Sequence, residues 1–326
     1  MKKILLVSSS SGGHVYPCYV LGENLKKRGY SVTYFGIKGQ YEASVIDSIT
    51  LLDVPNSFKK SLKFSQAKKV LKNKKEIQSI IKEHDLIIAF GGYISFLVGI
   101  FNIRIKKPLY LHEQNVILGD SIKVLYPFCK KVFLSFDNDL KRLKKSCYTS
   151  NPTIININSR LDVNVKNPKV LFVFGSLSSN TCLKVVHEFL KNTNLKKQFL
   201  VVTGKNKAMF EDINKSNVII KERINMAEEL KIYDLVFSRS GATSLLELIK
   251  SQVEIVLIPS PYVKNNHQYK NALFYYQKGI VDLIEEKDFS SKEIENKIVN
   301  LKRKNDTHID INPIDLIITE VENESI

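Results

Sequence analysis

No apolar run in this 326-residue chain approaches the roughly 18 residues that a membrane-spanning helix needs. The longest candidates are residues 86–90 and 96–101. The apolar part of the opening MKKILLV is too short for a signal peptide and predicts a first strand instead. Cysteine is scarce: Cys18, Cys129, Cys147 and Cys182 lie far apart with no CxxC, which argues against a disulfide framework or a zinc site. No low-complexity region or fixed-period repeat is present. Membrane-spanning, secreted and repeat classes are set aside, and a cytosolic setting is expected. Acidic residues are also short, and locally so. The whole carries 49 Lys and Arg against 33 Asp and Glu, a net of +16. Residues 1–155 hold 25 basic and 11 acidic side chains, and the remainder 24 and 22. A genome-wide lysine bias would spread evenly. A basic first half therefore predicts an anionic partner: nucleic acid, a phospholipid surface or a phosphorylated substrate.

What is present describes a soluble α/β protein. The chain is 44% hydrophobic and 25% charged, with a mean hydropathy of −0.11. At roughly 150 residues per domain this length suggests two domains. Short apolar runs at residues 3–8, 31–35, 86–90, 108–111 and 131–135 predict buried parallel strands with helix-period segments between some of them. Residues 151–167 are rich in Asn, Pro and Ser, lack periodicity and predict a linker. A second series follows at 169–174, 198–202, 218–220, 235–237, 254–257 and 280–284. Two such series predict two Rossmann-like, doubly wound domains, 1–155 and 156–326, facing a cleft. A last helical segment near residues 313–321 is free in sequence terms to pack back on either domain, the first included.

Several turns carry possible chemistry. Residues 8–14, SSSSGGH, follow the first strand and precede a helical stretch. Gly12 and Gly13 let backbone approach a ligand, and the helix start offers N–H groups to an anion. His14, at that helix start, is a candidate general base near neutral pH. Gly91-Gly92-Tyr93-Ile94-Ser95 repeats the geometry, with Tyr93 able to line a site. His112-Glu113-Gln114-Asn115 place four polar groups at a strand's carboxyl end, which predicts a crevice position. Residues 175–179, GSLSS, form another small-residue turn. In residues 238–247, SRSGATSLLE, Gly241, Ala242, Thr243 and Ser244 would open a helix toward a pyrophosphate, with Glu247 one turn further in as acceptor for ribose hydroxyls. Gln268 and Asn271 stand three apart on one helical face and suit sugar hydroxyls. For each turn taken alone, an ordinary packing turn or helix cap is the plain alternative.

Together these motifs resemble the MurG family, along nearly the whole chain and in order. The family's GGTGGH is similar to residues 9–14, its GGYxS to 91–95 and its HEQN to 112–115. Its GNP is similar to residues 150–152, its GGSQGA to 174–179, its SR(S/A)GA to 238–242 and its HQxxNA to 267–272. The resemblance implies an inverting GT-B transferase moving N-acetylglucosamine from UDP-GlcNAc to lipid I, giving lipid II for peptidoglycan. The donor would bind the second domain and the lipid-linked muramoyl-peptide acceptor the first. It implies Ser176 and the backbone near Thr243 and Ser244 at the diphosphate, Glu247 at the ribose and the backbone of Ile224 at uracil. Asn115, Gln268 and Asn271 would address the sugar, and Ser11, Gly12, Gly13 and Arg239 would complete the donor side. Tyr93, His112 and Glu113 would face the acceptor, and His14 would deprotonate it. The sequence departs from the pattern at Ser9, Ser10, residues 174–179 and Ile154, where the family carries arginine. Asp137-Asn138-Asp139 resembles the metal-holding DxD of a different transferase architecture, but it precedes a helical DLKRLKK and reads as an N-cap. No metal and no cofactor are expected.

The basic stretch at residues 57–75, with eight lysines and no acid among Phe58, Leu62, Phe64, Val70 and Leu71, predicts docking on an anionic membrane surface. Nucleic acid is not expected, since no binding motif accompanies the charge. The protein is thus expected peripherally on the cytoplasmic face of the membrane. Competing readings are a related GT-B transferase with another lipid or polysaccharide acceptor, and an inactive membrane scaffold.

Overall fold

Branched and aromatic runs bounded by polar turns form two parallel sheets, described in a computed structural model for residues 1–9, 11–55, 70–175 and 179–323. The chain separates into two units, Met1–Ile155 with Ile311–Ile326, and Asn156–Asp310.

In the first unit the strands are β1 (Lys3–Val7), β2 (Ser31–Ile37), β3 (Ile49–Leu52), β4 (Leu86–Ala89), β5 (Leu109–Glu113), β6 (Lys131–Leu134) and β7 (Ser146–Tyr148). They pair in the order β3-β2-β1-β4-β5-β6-β7, all parallel. Alternate residues face opposite sides of a sheet, and here both sides are apolar. Leu5, Val7, Ile87, Leu109 and Leu111 pack with Ile77, Ile81 and Val98 on one side. Ile4, Leu6, Ile88, Tyr110 and Phe133 pack with Val15, Leu21 and Leu25 on the other. That second side is completed by the last helix, Pro313–Asn323, which adds Ile314, Ile317, Ile318 and Val321. Asp315, Glu320 and Glu322 of this helix bond Arg28, Lys131 and Tyr30 respectively.

In the second unit the strands are β8 (Val170–Val173), β9 (Phe199–Val202), β10 (Val218–Lys221), β11 (Leu235–Ser238), β12 (Glu254–Leu257) and β13 (Asp282–Leu283). Their order is β10-β9-β8-β11-β12-β13, again parallel throughout. Phe172 stacks on Phe237 at 5.0 Å and on Phe199 at 6.3 Å to fill one side of this sheet. In each unit the order reverses beside the first strand, between β1 and β4 and between β8 and β11. The turns leaving the carboxyl ends of strands at such switch points are where α/β proteins take ligands.

Candidate active site

The first unit's switch point is built from three turns. After β1 the chain runs to the helix Gly12–Lys27, whose N-cap, Ser11, makes no side-chain capping bond. After β4, Gly91 and Gly92 adopt φ of +89° and +81° and start the helix Gly92–Ile105. Both glycines are required. A Cβ on Gly92 would stand 2.7 Å from Ser9 Oγ and 3.2 Å from the Ser9 carbonyl oxygen. One on Gly91 would press on the His14 ring at 3.3 Å. Ser95 Oγ donates to the Gly91 carbonyl oxygen at 2.5 Å and lies 3.3 Å from that of Val7, tying the β4 turn to the end of β1. His14 is thus seated against the second turn by close backbone.

The third turn corrects an expectation. His112, Glu113 and Gln114 are buried, at 0%, 2% and 2% exposure, rather than open to a crevice. Being adjacent on β5, His112 and Glu113 are directed to opposite sides. His112 stacks on Phe90 at 4.9 Å. Burial drives its pKa down to about 3, opposed by a backbone interaction at Ser150, with a smaller lowering from His14. Glu113 accepts from Gly119 N at 2.6 Å, Asn115 N at 2.9 Å and Asn115 Nδ2 at 3.2 Å. Burial pushes its pKa up to about 7 against those hydrogen bonds. Glu113 therefore holds the 115–119 loop, and only Asn115 of the four is partly exposed. Gln114, to which the sequence reading gave no role, bridges His14 Nδ1 at 2.7 Å and His112. Its signal was visible: it lies two residues from His112, inside a polar run that follows an apolar strand. Tyr93 is more enclosed than its turn suggests: its ring is 7% exposed within the core cluster and stacks on Phe96.

In the second unit the helix Ala242–Ser251 opens at Gly241, which has no side chain to cap it. The first turn, Ala242, Thr243 and Ser244, lies at the positive end of this helix, where negative charge is favoured. Glu247 is half-buried one turn in, and Ile224 is half-buried in the loop after β10. The turn after β8 differs. Ser179 caps the helix Asn180–Asn192 by accepting from Cys182 N at 3.3 Å. Ser176, like Ser10, lies outside the described residues. Arg239, expected on the donor side, is engaged within the second unit. Its buried guanidinium bonds Glu286, Ser179 Oγ at 2.6 Å and the Ile258 carbonyl oxygen at 2.8 Å, so it holds the scaffold together. Asn271 is fully buried and donates to the Ser240 carbonyl oxygen at 3.2 Å, and Gln268 Oε1 accepts from Ser260 N at 2.9 Å. Both amides therefore brace the turns after β11 and β12.

Three further sequence features are resolved. Asp137 and Asp139 pair with Lys141 and Arg142, and the cap of the short Asp139–Arg142 helix is Asn138, accepting from Leu140 N at 3.0 Å, not an aspartate. Ile154 is 1% exposed, a core residue. Ser150 takes φ +63°, left-handed backbone at the family's glycine position in GNP. Of the basic stretch, residues 57–69 lie outside the described residues. Leu71, just beyond, is 66% exposed. Among the described residues no helix is long and apolar enough to cross a membrane, and no three His, Cys, Asp or Glu side chains gather as a metal site. A recess of about 500 Å³ lined by Arg160, Lys169, Lys196 and Lys231 sits at the amino ends of β8 and β11, away from these turns.

The two doubly wound sheets with their glycine turns are those of the GT-B fold, and the family matches make the chain a glycosyltransferase. Residues 4–134 match the glycosyltransferase family 28 N-terminal domain and residues 169–312 its C-terminal domain. The chain is 33% identical over 313 residues to the UDP-N-acetylglucosamine--N-acetylmuramyl-(pentapeptide) pyrophosphoryl-undecaprenol N-acetylglucosamine transferase of Sulfurihydrogenibium sp. (strain YO3AOP1), covering 91% of this chain and 88% of the relative. The relative of the same name from Thermosipho africanus is 29% identical, with 99% of each chain covered. The crystal structure of Acinetobacter baumannii MurG superposes with a TM-score of 0.79 at 21% identity, over 98% of this chain and all of that one. The chain belongs to the MurG family of glycosyltransferases.

Proposed function

We propose that this chain transfers N-acetylglucosamine from UDP-GlcNAc to lipid I, the undecaprenyl-diphosphate-linked muramoyl-peptide, to form lipid II, by an inverting displacement with His14 as general base. The observation that carries the reading is the seating of His14. A partly buried imidazole at a helix start, on the switch point of the first unit, is held by Gln114 and close glycine backbone. As the acceptor hydroxyl attacks the anomeric carbon, His14 takes its proton and the bond to the diphosphate oxygen breaks toward UDP. Charge developing on the leaving diphosphate would meet the N–H groups of the helix start at Gly241, preorganised and requiring no metal ion. Ser11, Gly12 and Gly13 would bring a second helix start to the substrates. Ile224, Glu247 and Ser176 would address the uracil, ribose and diphosphate of the donor. Asn115 would reach the sugar, carried on the loop that Glu113 ties down.

The chain would act as a peripheral protein on the cytoplasmic face of the membrane. Anionic lipid, not nucleic acid, would account for the basic first half. Incubation with radiolabelled UDP-GlcNAc and a lipid I analogue tests the reading. Label should move into the lipid product. Release of free N-acetylglucosamine alone, or transfer only to a different lipid or polysaccharide acceptor, would overturn it.

A further inference from the structure

The surroundings of the Gln114 amide dictate its orientation. Its Nε2 lies 3.0 Å from the His112 carbonyl oxygen, an atom that can only accept, and 3.1 Å from His112 Nδ1. The amide nitrogen therefore faces His112 and the amide oxygen faces His14, whose Nδ1 is 2.7 Å away. An amide oxygen only accepts. His14 must then carry its proton on Nδ1, which puts the lone pair of the neutral ring on Nε2. The same reasoning sets the other histidine: Nδ1 of His112 accepts, so its proton sits on Nε2.

This relay is anchored at its inner end. Gln114 and His112 are buried, and His112 is stacked on Phe90. Burial keeps the His112 ring neutral, so it remains an acceptor for the amide throughout the neutral range. On the other side of His14 stands Gly91, where no side chain crowds the ring. Among the described residues, His112 on β5 is a titratable group that interacts electrostatically with His14. Glu113 is directed to the opposite side of that strand, and the Gly91–Gly92 turn brings no charge.

We propose that Gln114 is a positioning residue of the transfer reaction, fixing the tautomer and direction of His14 so that Nε2 receives the acceptor's proton. The proposal rests on the reading of His14 as the base. In balance, the hydroxyl O–H bond breaks as the N–H bond forms on Nε2. The oxygen bonds the anomeric carbon, and UDP leaves with the electron pair of the glycosidic C–O bond. A neutral amide orients the imidazole as the carboxylate of a catalytic triad does, without adding charge beside it.

The test uses the full chain labelled with ¹⁵N-histidine, the His14 signals being identified by their loss in His14→Ala. Wild type should show the Nδ1–H tautomer at His14. Gln114→Met, close in shape but without an acceptor, should shift His14 toward the Nε2–H form. It should also lower kcat by about 10- to 100-fold, the scale typical of a lost histidine-orienting partner, with KM for UDP-GlcNAc changed by less than about twofold. Gln114→Glu keeps an oxygen facing His14, but its second oxygen meets the His112 carbonyl and must carry a proton there; in that form it should retain the Nδ1–H tautomer with kcat above that of the Met variant. A proton on Nε2 in wild type, or unchanged kcat and tautomer in Gln114→Met, would overturn the proposal. Should Gln114→Met fail to fold, the wild-type tautomer and the Gln114→Glu variant decide. Normal turnover in His14→Ala would instead overturn the assignment of the base, while the tautomer measurements still report on Gln114.

Discussion

Glycine, histidine and amide side chains set the chemistry of the first unit at distances of a few ångströms. Gly92 combines positive φ with a Cβ position occupied by Ser9, so no other residue fits without moving the β1 turn. Gly92→Ala should destabilise the protein by about 1–3 kcal/mol, the scale of a strained backbone residue, and reduce turnover. Denaturant unfolding with a parallel assay checks this, and unchanged values for both would contradict the packing described. His14→Ala should lower kcat by on the order of 10²–10⁴ if the imidazole is the general base, with UDP binding kept. Glu247→Ala should weaken donor binding more than turnover at saturation, as expected for a contact made before the transition state. Calorimetric titration with UDP, set against steady-state rates for the two variants, separates these effects. The two residues should fail in different columns.

At the scale of elements, β5 carries two adjacent groups whose ionisation opposes. The folded pKa of Glu113 is raised from 4.5 to about 7. The unfolded chain therefore releases this proton first, and stability falls as pH rises from about 4.5 to 7. The folded pKa of His112 is lowered from 6.5 to about 3. Here the unfolded chain binds the proton first, and stability falls as pH drops below 6.5. Glu113→Gln removes the first dependence alone. The variant's stability relative to wild type should improve with rising pH between about 4.5 and 7, with a limiting slope of about 1.4 kcal/mol per pH unit for one proton. Chemical denaturation across that range measures it, and a pH-independent difference would refute the assignment.

The same strand shows how far the sequence could be read. Runs such as residues 3–8 and 254–257 announce β1 and β12 because strands covered on both faces must be apolar throughout. The edge strands β3 and β7 are short and only partly buried, and no such pattern marks them. The glycine turns were legible from their places after strands. Burial of the polar residues was not. Periodicity cannot tell that His112 lies on Phe90 or that Arg239 spends its charge on Glu286, because those partners are distant in the chain, nor does it show that Tyr93 is enclosed by the core cluster. Gln114 is the sharpest case, its two contacts lying two and one hundred residues away.

Over the whole molecule the unequal charge has a measurable consequence. If the lysines of residues 57–75 dock on anionic lipid, each contributes about 1 kcal/mol near the surface and the attachment weakens with salt. Wild type should co-sediment with phosphatidylglycerol vesicles at low salt. A variant with Lys59, Lys60, Lys63, Lys68 and Lys69 changed to Glu should remain in solution, and equal binding of the two would exclude this segment. Activity should also survive EDTA, since the proposed chemistry places helix ends, not a metal, at the leaving group. Loss of turnover restored by Mg²⁺ would reverse that view. The return of the helix Pro313–Asn323 to the first unit bears on how the chain is made. Residues 156–310 are contiguous and have all their partners once they have left the ribosome. The first unit does not, although it is synthesised earlier. Ile4, Leu25 and Ile88 must wait for Ile314, Ile317, Ile318 and Val321, each worth about 1.5–3 kcal/mol when fully buried. A nascent chain therefore carries an unfinished apolar face through the synthesis of the entire second unit. A chain stopped short of residue 313 should be found in the insoluble fraction, with its first unit digested by protease before its second.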